Sequence, residues 1–125
     1  MTIETFAPPA VLRPLGITAA APVELTIASG AVTATQLLHT VDTESDAAAD
    51  ELDTISGGTD GQLLLLWLAD AGRVVTLKHG SGNIVAPGGS DRALSRSGFS
   101  MLVYDGGQSK WILSPPCSPS PVPLP

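Results

Sequence analysis

Residues 61–69 read GQLLLLWLA, and after the break Asp70-Ala71-Gly72 residues 73–79 read RVVTLKH. The first stretch is the most apolar in the chain and is closed at both ends by turn-forming residues. Periodicity alone leaves a helix open, but a run of this length with these flanks favours a strand buried on both faces. The second stretch alternates. Val75 and Leu77 share one face and Val74, Thr76 and Lys78 the other, so one side of it is wetter. The turn at 70–72 is expected to pair the two segments as a hairpin.

Downstream, Gly80-Ser81-Gly82-Asn83 reads as a turn, Ile84-Val85-Ala86 as a short strand, Pro87-Gly88-Gly89 as a break and Arg92–Ser95 as a brief edge strand. Phe99–Tyr104 (FSMLVY) and Lys110–Leu113 (KWIL) flank Asp105-Gly106-Gly107-Gln108 and form a closing hairpin. Upstream, Glu24–Ala28 (ELTIA) and Ala31–Gln36 (AVTATQ) flank Ser29-Gly30, a two-residue turn that needs glycine's freedom at positive φ, and read as a second hairpin. Leu37–Thr43 (LLHTVDT) alternates as a strand. Glu44–Asp53 gathers acids and alanines and has room for one short helical turn, after which Leu52 and Ile55 re-enter the core before Gly57-Gly58. About nine or ten short strands at this spacing predict an all-β domain: a compact sandwich, jelly-roll or barrel of short antiparallel strands. No internal repeat of useful length is visible.

The 125 residues suffice for one core. Proline marks its limits. Pro8, Pro9, Pro14 and Pro22 lie at the front, Pro115, Pro116, Pro119, Pro121, Pro123 and Pro125 at the back, and Pro87 alone between them. Without an amide donor, proline cannot join a central ladder. The sequence therefore divides into an extended N-terminal arm at 1–22, a β domain at 23–114 and a proline-rich tail at 115–125.

The formal charge is −6, yet only 14% of residues are charged. Such a chain is too apolar for a disordered tail and too acidic to hold phosphate backbones. Few surface charges beside so many Leu, Val, Ile and Ala imply that part of the outer surface is covered by other subunits. The N-terminus has no basic segment before an apolar one, and no run is long enough to span a bilayer, so synthesis and assembly in a cytosol are expected.

Signals for chemistry are weak. Asp42, Glu44, Asp46, Asp50, Glu51 and Asp53 crowd into twelve residues, but they lack the ordered Asp/Asn-x-Asp/Asn-x-Gly spacing of a calcium loop, and a solvated or partner-facing loop is the plainer reading. His39 and His79 lie on separate strands without zinc-ligand spacing. No GxSxG elbow is present, and Gly80-Ser81-Gly82-Asn83 lacks the lysine and the following helix of a phosphate loop. Trp67 and Trp111 would suit sugar stacking if exposed, but their apolar neighbours favour burial in the core or at a subunit interface. Cys117, the one cysteine, excludes an internal disulfide and reads as a bystander, with an intersubunit bridge as the alternative. No enzyme activity, metal or cofactor is expected.

Three segments in order, HTVDTESDAAADELDTISGGTDGQLLLL, VVTLKHGSGNI and MLVYDGGQSKWIL, resemble a β module that recurs in virion proteins of tailed bacteriophages. The resemblance covers Val23 to Leu113. It is carried by Asp53-Thr54-Ile55 with Gly57-Gly58, by the Gly82-Asn83-Ile84 turn, and by the hairpin from Tyr104-Asp105-Gly106 to Trp111. The chain departs from the pattern at His79, where relatives usually carry an acid before the glycine turn. The resemblance implies a non-enzymatic homotrimer found in head decoration (cement) proteins or in tail and fibre proteins. A single short module without a shaft favours decoration: a protein on the capsid exterior that binds the major capsid protein. The alternative is a tail, fibre or baseplate module that grips a host receptor.

Proline-rich segments lose little entropy on docking because their φ angles are already restricted. The arms, Thr2–Ala21 and Pro115–Pro125, are therefore expected to strap capsid subunits or adjacent copies. Their apolar anchors are Phe6, Val11, Leu12, Leu15, Val122 and Leu124. The alternative is that they pack only on their own body.

Overall fold

A computed structural model of the chain describes residues 19–115. The strands are β1 (Val23–Thr26), β2 (Ala31–Thr33), β3 (Leu38–Asp42), β4 (Ala49–Leu52), β5 (Thr54–Ser56), β6 (Leu63–Leu68), β7 (Val74–Leu77), β8 (Ile84–Val85), β9 (Arg92–Ala93), β10 (Ser100–Asp105) and β11 (Lys110–Leu113). Single 3-10 turns occupy Glu44–Asp46 and Pro87–Gly89. The described residues are all-β, as their punctuation implies. No helix among the described residues is long and apolar enough to cross a membrane.

Parallel stacking organises these strands. β1 pairs in parallel with β3, and β3 with β6, through Val23–His39 and Leu38–Leu65. β2 lies parallel to β5 through Ala31–Thr54, and β4 parallel to β7 through Ala49–Val74. Each circuit of the chain thus lays its strands on those of the circuit before, in the manner of a β-solenoid. The last part of the chain reverses direction. β9 pairs antiparallel with β7 and β10 antiparallel with β6, while β11 returns beside β10 and runs parallel to β8. The result is a six-stranded sheet in the order β1-β3-β6-β10-β11-β8, a pair β2-β5 and a triplet β4-β7-β9.

This stacking corrects the expectation of antiparallel strands in a sandwich, jelly-roll or barrel. Antiparallel neighbours need only a tight turn, whereas parallel neighbours need a return path, here supplied by the short strands of the other sheets. Two expected hairpins change with it. Ser29 and Gly30 do form a tight turn, both at positive φ (52° and 79°), closed by the Ala28–Ala31 bridge. The antiparallel pairing goes no further, because Ile27 N–H already donates to Asp42 O on the stacked strand. β7 likewise pairs with β4 and β9 and not with β6. The helical turn expected within 44–53 is confined to Glu44–Asp46, and Ala49–Leu52 is a strand. The closing hairpin β10–β11 forms as read.

One core fills the space between the sheets. Val41, Leu52, Ile55, Leu64, Leu66, Val75, Leu77, Ile84, Leu102 and Trp111 are fully buried in it. β6 buries Leu64, Leu66 and Leu68 but leaves Leu63, Leu65 and Trp67 half-buried or exposed, so it is covered on one face and not on both. β7 alternates as expected, with Val75 and Leu77 inside.

Polar groups close the stack where strands run out. The Asn83 side chain substitutes for a strand edge: its Oδ1 accepts from Ile55 N–H at 2.8 Å and its Nδ2 donates to Ile55 O at 2.8 Å. Trp111 Nε1 donates to the same Ile55 oxygen at 2.9 Å. Gly82 allows this approach, because a Cβ there would collide with Asp53 O and Thr54 Oγ1.

Candidate functional site

The acids of residues 42–53 lie at one corner of the stack, where β3 leads into β4. Asp42 accepts two bonds from Arg73 Nη1, at 2.9 and 2.7 Å, and one from Thr43 N–H at 2.8 Å. Asp46 and Asp70 approach the same guanidinium at 3.4 and 3.6 Å. Chiefly through its bond to Arg73, the Asp42 carboxyl is held below the ordinary carboxylate range, and Arg73 is raised in return. Asp50 accepts from the backbone N–H groups of Glu44 and Glu51, and Glu44 Oε1 accepts from Ser29 N–H. Glu51 lies 3.7 Å from Lys78, whose closer partner is Asp91 at 2.9 Å.

These bonds give most of the acidic run a structural task, as turn-formers and ion-pair partners. An open cleft of about 510 Å³ beside the Ser29-Gly30 turn has Asp50, Glu51 and Asp53 on its walls. Among the described residues no three His, Cys, Asp or Glu side chains converge as a metal site requires.

The two histidines are also structural. His39 is buried, and its Nε2 accepts from the N–H groups of Thr35 and Gln36 at 3.0 and 3.3 Å, while Nδ1 faces Val23 O at 2.8 Å. The tautomer with its proton on Nδ1 satisfies all three. His79 lies directly before the Gly80–Asn83 turn. Its Nδ1 accepts from Ala86 N–H at 3.0 Å, and its own N–H donates to Asp91 Oδ1 at 2.8 Å. That bond and the Lys78 ammonium depress the Asp91 carboxyl. The Gly80–Asn83 segment is a turn between strands, bonded from Gly80 N–H to Ile84 O.

The tryptophans part company. Trp111 is fully buried, edge-on to Tyr104 with ring centroids 5.1 Å apart. Trp67 lies half-buried on the outer face of the six-stranded sheet, tilted against Phe99 at 6.5 Å. Around it the register builds a continuous apolar surface. Leu65 is flanked by Leu38 on one side and Met101 on the other. A second row crosses four strands through Leu63, Val103, Ile112 and Val85. Charges on this face sit at its corners, at Glu24 and Asp42 and at the cross-strand pair Asp105 and Lys110.

Phe6, Val11, Leu12, Leu15, Val122 and Leu124, the expected anchors of the arms, lie outside the described residues, as does Cys117. The outer sheet face was not located by reading the sequence. Its signal was present in two forms: a run with leucine at both odd and even positions, and a surface with too few charges.

No protein-family model, curated protein or solved structure matches this chain.

Proposed function

We propose that this protein is a structural component of a tailed-bacteriophage virion, a capsid decoration or cement protein on the outside of the head. It would act as a homotrimer bound to the lattice of the major capsid protein. Such a protein works by burying surface between subunits, which raises the temperature or pressure the shell survives through binding linkage. The observation that carries this reading is the apolar outer face of the six-stranded sheet. Its extent supports an assembly role, while the conspicuous acids and histidines are occupied by bonds that hold the fold. The order of the three sequence segments supports the phage assignment, and the proline-rich arms supply the proposed straps to the capsid.

The competing reading, a receptor-binding module of tail or baseplate, calls for aromatic side chains lining an open groove. Full burial of Trp111 counts against it, while Trp67 is half-buried on an outer sheet face beside the exposed Phe99 and leaves that reading as the alternative. The test is location and copy number. Gold-labelled antibody on purified particles should decorate the whole head, at a copy number comparable to that of the capsid protein. A single focus at the tail would overturn the decoration reading in favour of the receptor module.

A further inference from the structure

The outer face of the six-stranded sheet is more apolar than folding of one chain requires. Phe99 is 64% exposed, Met101 39%, and Leu63 and Val103 37% each. Together with the half-buried Leu65, Trp67 and Ile112 they leave roughly 500 Å² of nearly contiguous apolar surface, toward the upper end of what single-chain soluble proteins carry as their largest patch. The rows Leu38–Leu65–Met101 and Leu63–Val103–Ile112–Val85 run unbroken across neighbouring strands, with no charge between them.

We infer that this face is where copies of the chain meet, each burying it against its neighbour. The inference rests on the assembly reading above and assigns a surface to it. Three observations favour a second copy as the occupant. Two such patches brought together remove about 1,000 Å² from water, the lower threshold for a specific contact, and rim contacts must bring it into the range of about 1,200–2,000 Å² typical of stable ones. The apolar character matches interfaces between identical subunits, which are richer in apolar surface than those between transient partners. Finally, a chain of net charge −6 repels its own copies except where its acids are absent, and the centre of this face lacks them. A lipid surface fits poorly, because the acids Glu24, Asp42 and Asp105 at the corners of the face would repel anionic headgroups.

Light scattering on the full-length chain between 1 and 100 μM tests the proposal. The wild type is expected to run as a small multiple of 12.7 kDa. The double variant Met101→Glu, Val103→Glu should run as a single chain with an unchanged circular dichroism spectrum. Val74→Glu serves as control. Val74 is 51% exposed but lies on the other outer wall, so this variant should keep the wild-type mass. If the two charges unfold the chain, the milder pair Leu63→Thr, Met101→Thr should instead raise the dissociation constant at least tenfold.

A monomeric wild type, a double variant that keeps its mass, or a Val74→Glu variant that dissociates equally would each overturn the assignment. A monomeric wild type that still decorates heads would remove this contact and leave the virion reading intact. Self-association through this face in a protein missing from the particle would do the reverse.

Discussion

Two outer walls of the same molecule face solvent with opposite chemistry. On the β4–β7 wall the outward positions are Ala49, Glu51, Val74 and Thr76, continued by Lys78, and Glu51 and Lys78 approach one another across it. On the β6–β10 wall they are Leu63, Leu65, Trp67, Met101 and Val103. Both walls cover the same core through similar inward residues, Val75 and Leu77 in one case and Leu64, Leu66 and Leu102 in the other. A sheet with one wet face normally alternates apolar inside with polar outside. The β4–β7 wall largely obeys that rule. The core therefore does not require the leucines outside β6, and their presence points to a contact beyond the single chain.

The largest effect separates inside from outside on a single strand. Leu102 is fully buried between β6 and β11, paired with Leu64 and Leu113. Leu102→Ala should lose about 2–5 kcal/mol, because the rigid sheets around it cannot collapse into the space left behind. Urea unfolding should show a lower midpoint at an unchanged slope. A loss below about 1 kcal/mol would mean that this core is far looser than its burial implies.

The acids at the margins of the two walls predict a pH response. Asp42, Asp91 and Asp105 all have their carboxyl pKa values lowered, by Arg73, by the His79 N–H with Lys78, and by Gln108 with the Gly107 N–H respectively. Each folded value lies below the unfolded one, so in the window between them the unfolded chain binds more protons. Their contribution is complete at neutral pH and is lost as pH falls below about 4 through the folded values. Thermal unfolding between pH 7 and pH 2.5 should show this fall. Asp42→Asn should be less stable at pH 7 and lose less on acidification. An equally steep fall in the variant would remove Asp42 from the account.

How much of this was legible depended on the reach of each interaction. The β10–β11 hairpin could be read because Asp105-Gly106-Gly107-Gln108 sets both the turn and the pairing within a few residues. Ser29-Gly30 carries an equally local signal and does make its turn, but β1 and β2 then leave for β3 and β5. Partners such as Leu38 and Leu65, 27 residues apart in the chain, leave no local mark on either strand. Ala49–Leu52 was missed as a strand because two of its four residues are acids, one of them held in the turn by the N–H groups of Glu44 and Glu51. The leucine run was read as buried on both faces. Hydrophobicity reports that a residue is to be covered, but not whether its own chain or another one covers it.

The smallest expected effect is the sharpest test of the contrast between walls. Val103 follows Leu102 directly but points outward, 37% exposed, between Leu63 and Ile112. Val103→Thr keeps the shape and the branching at Cβ that suit a strand, and replaces a methyl group by a hydroxyl that water can reach. Measured at concentrations low enough to keep copies apart, its stability should stay within about 0.5 kcal/mol of wild type. A loss of 2 kcal/mol or more would place Val103 in the core of the single chain. The outer leucines would then be part of the fold itself, and the difference between the two walls would no longer call for a partner.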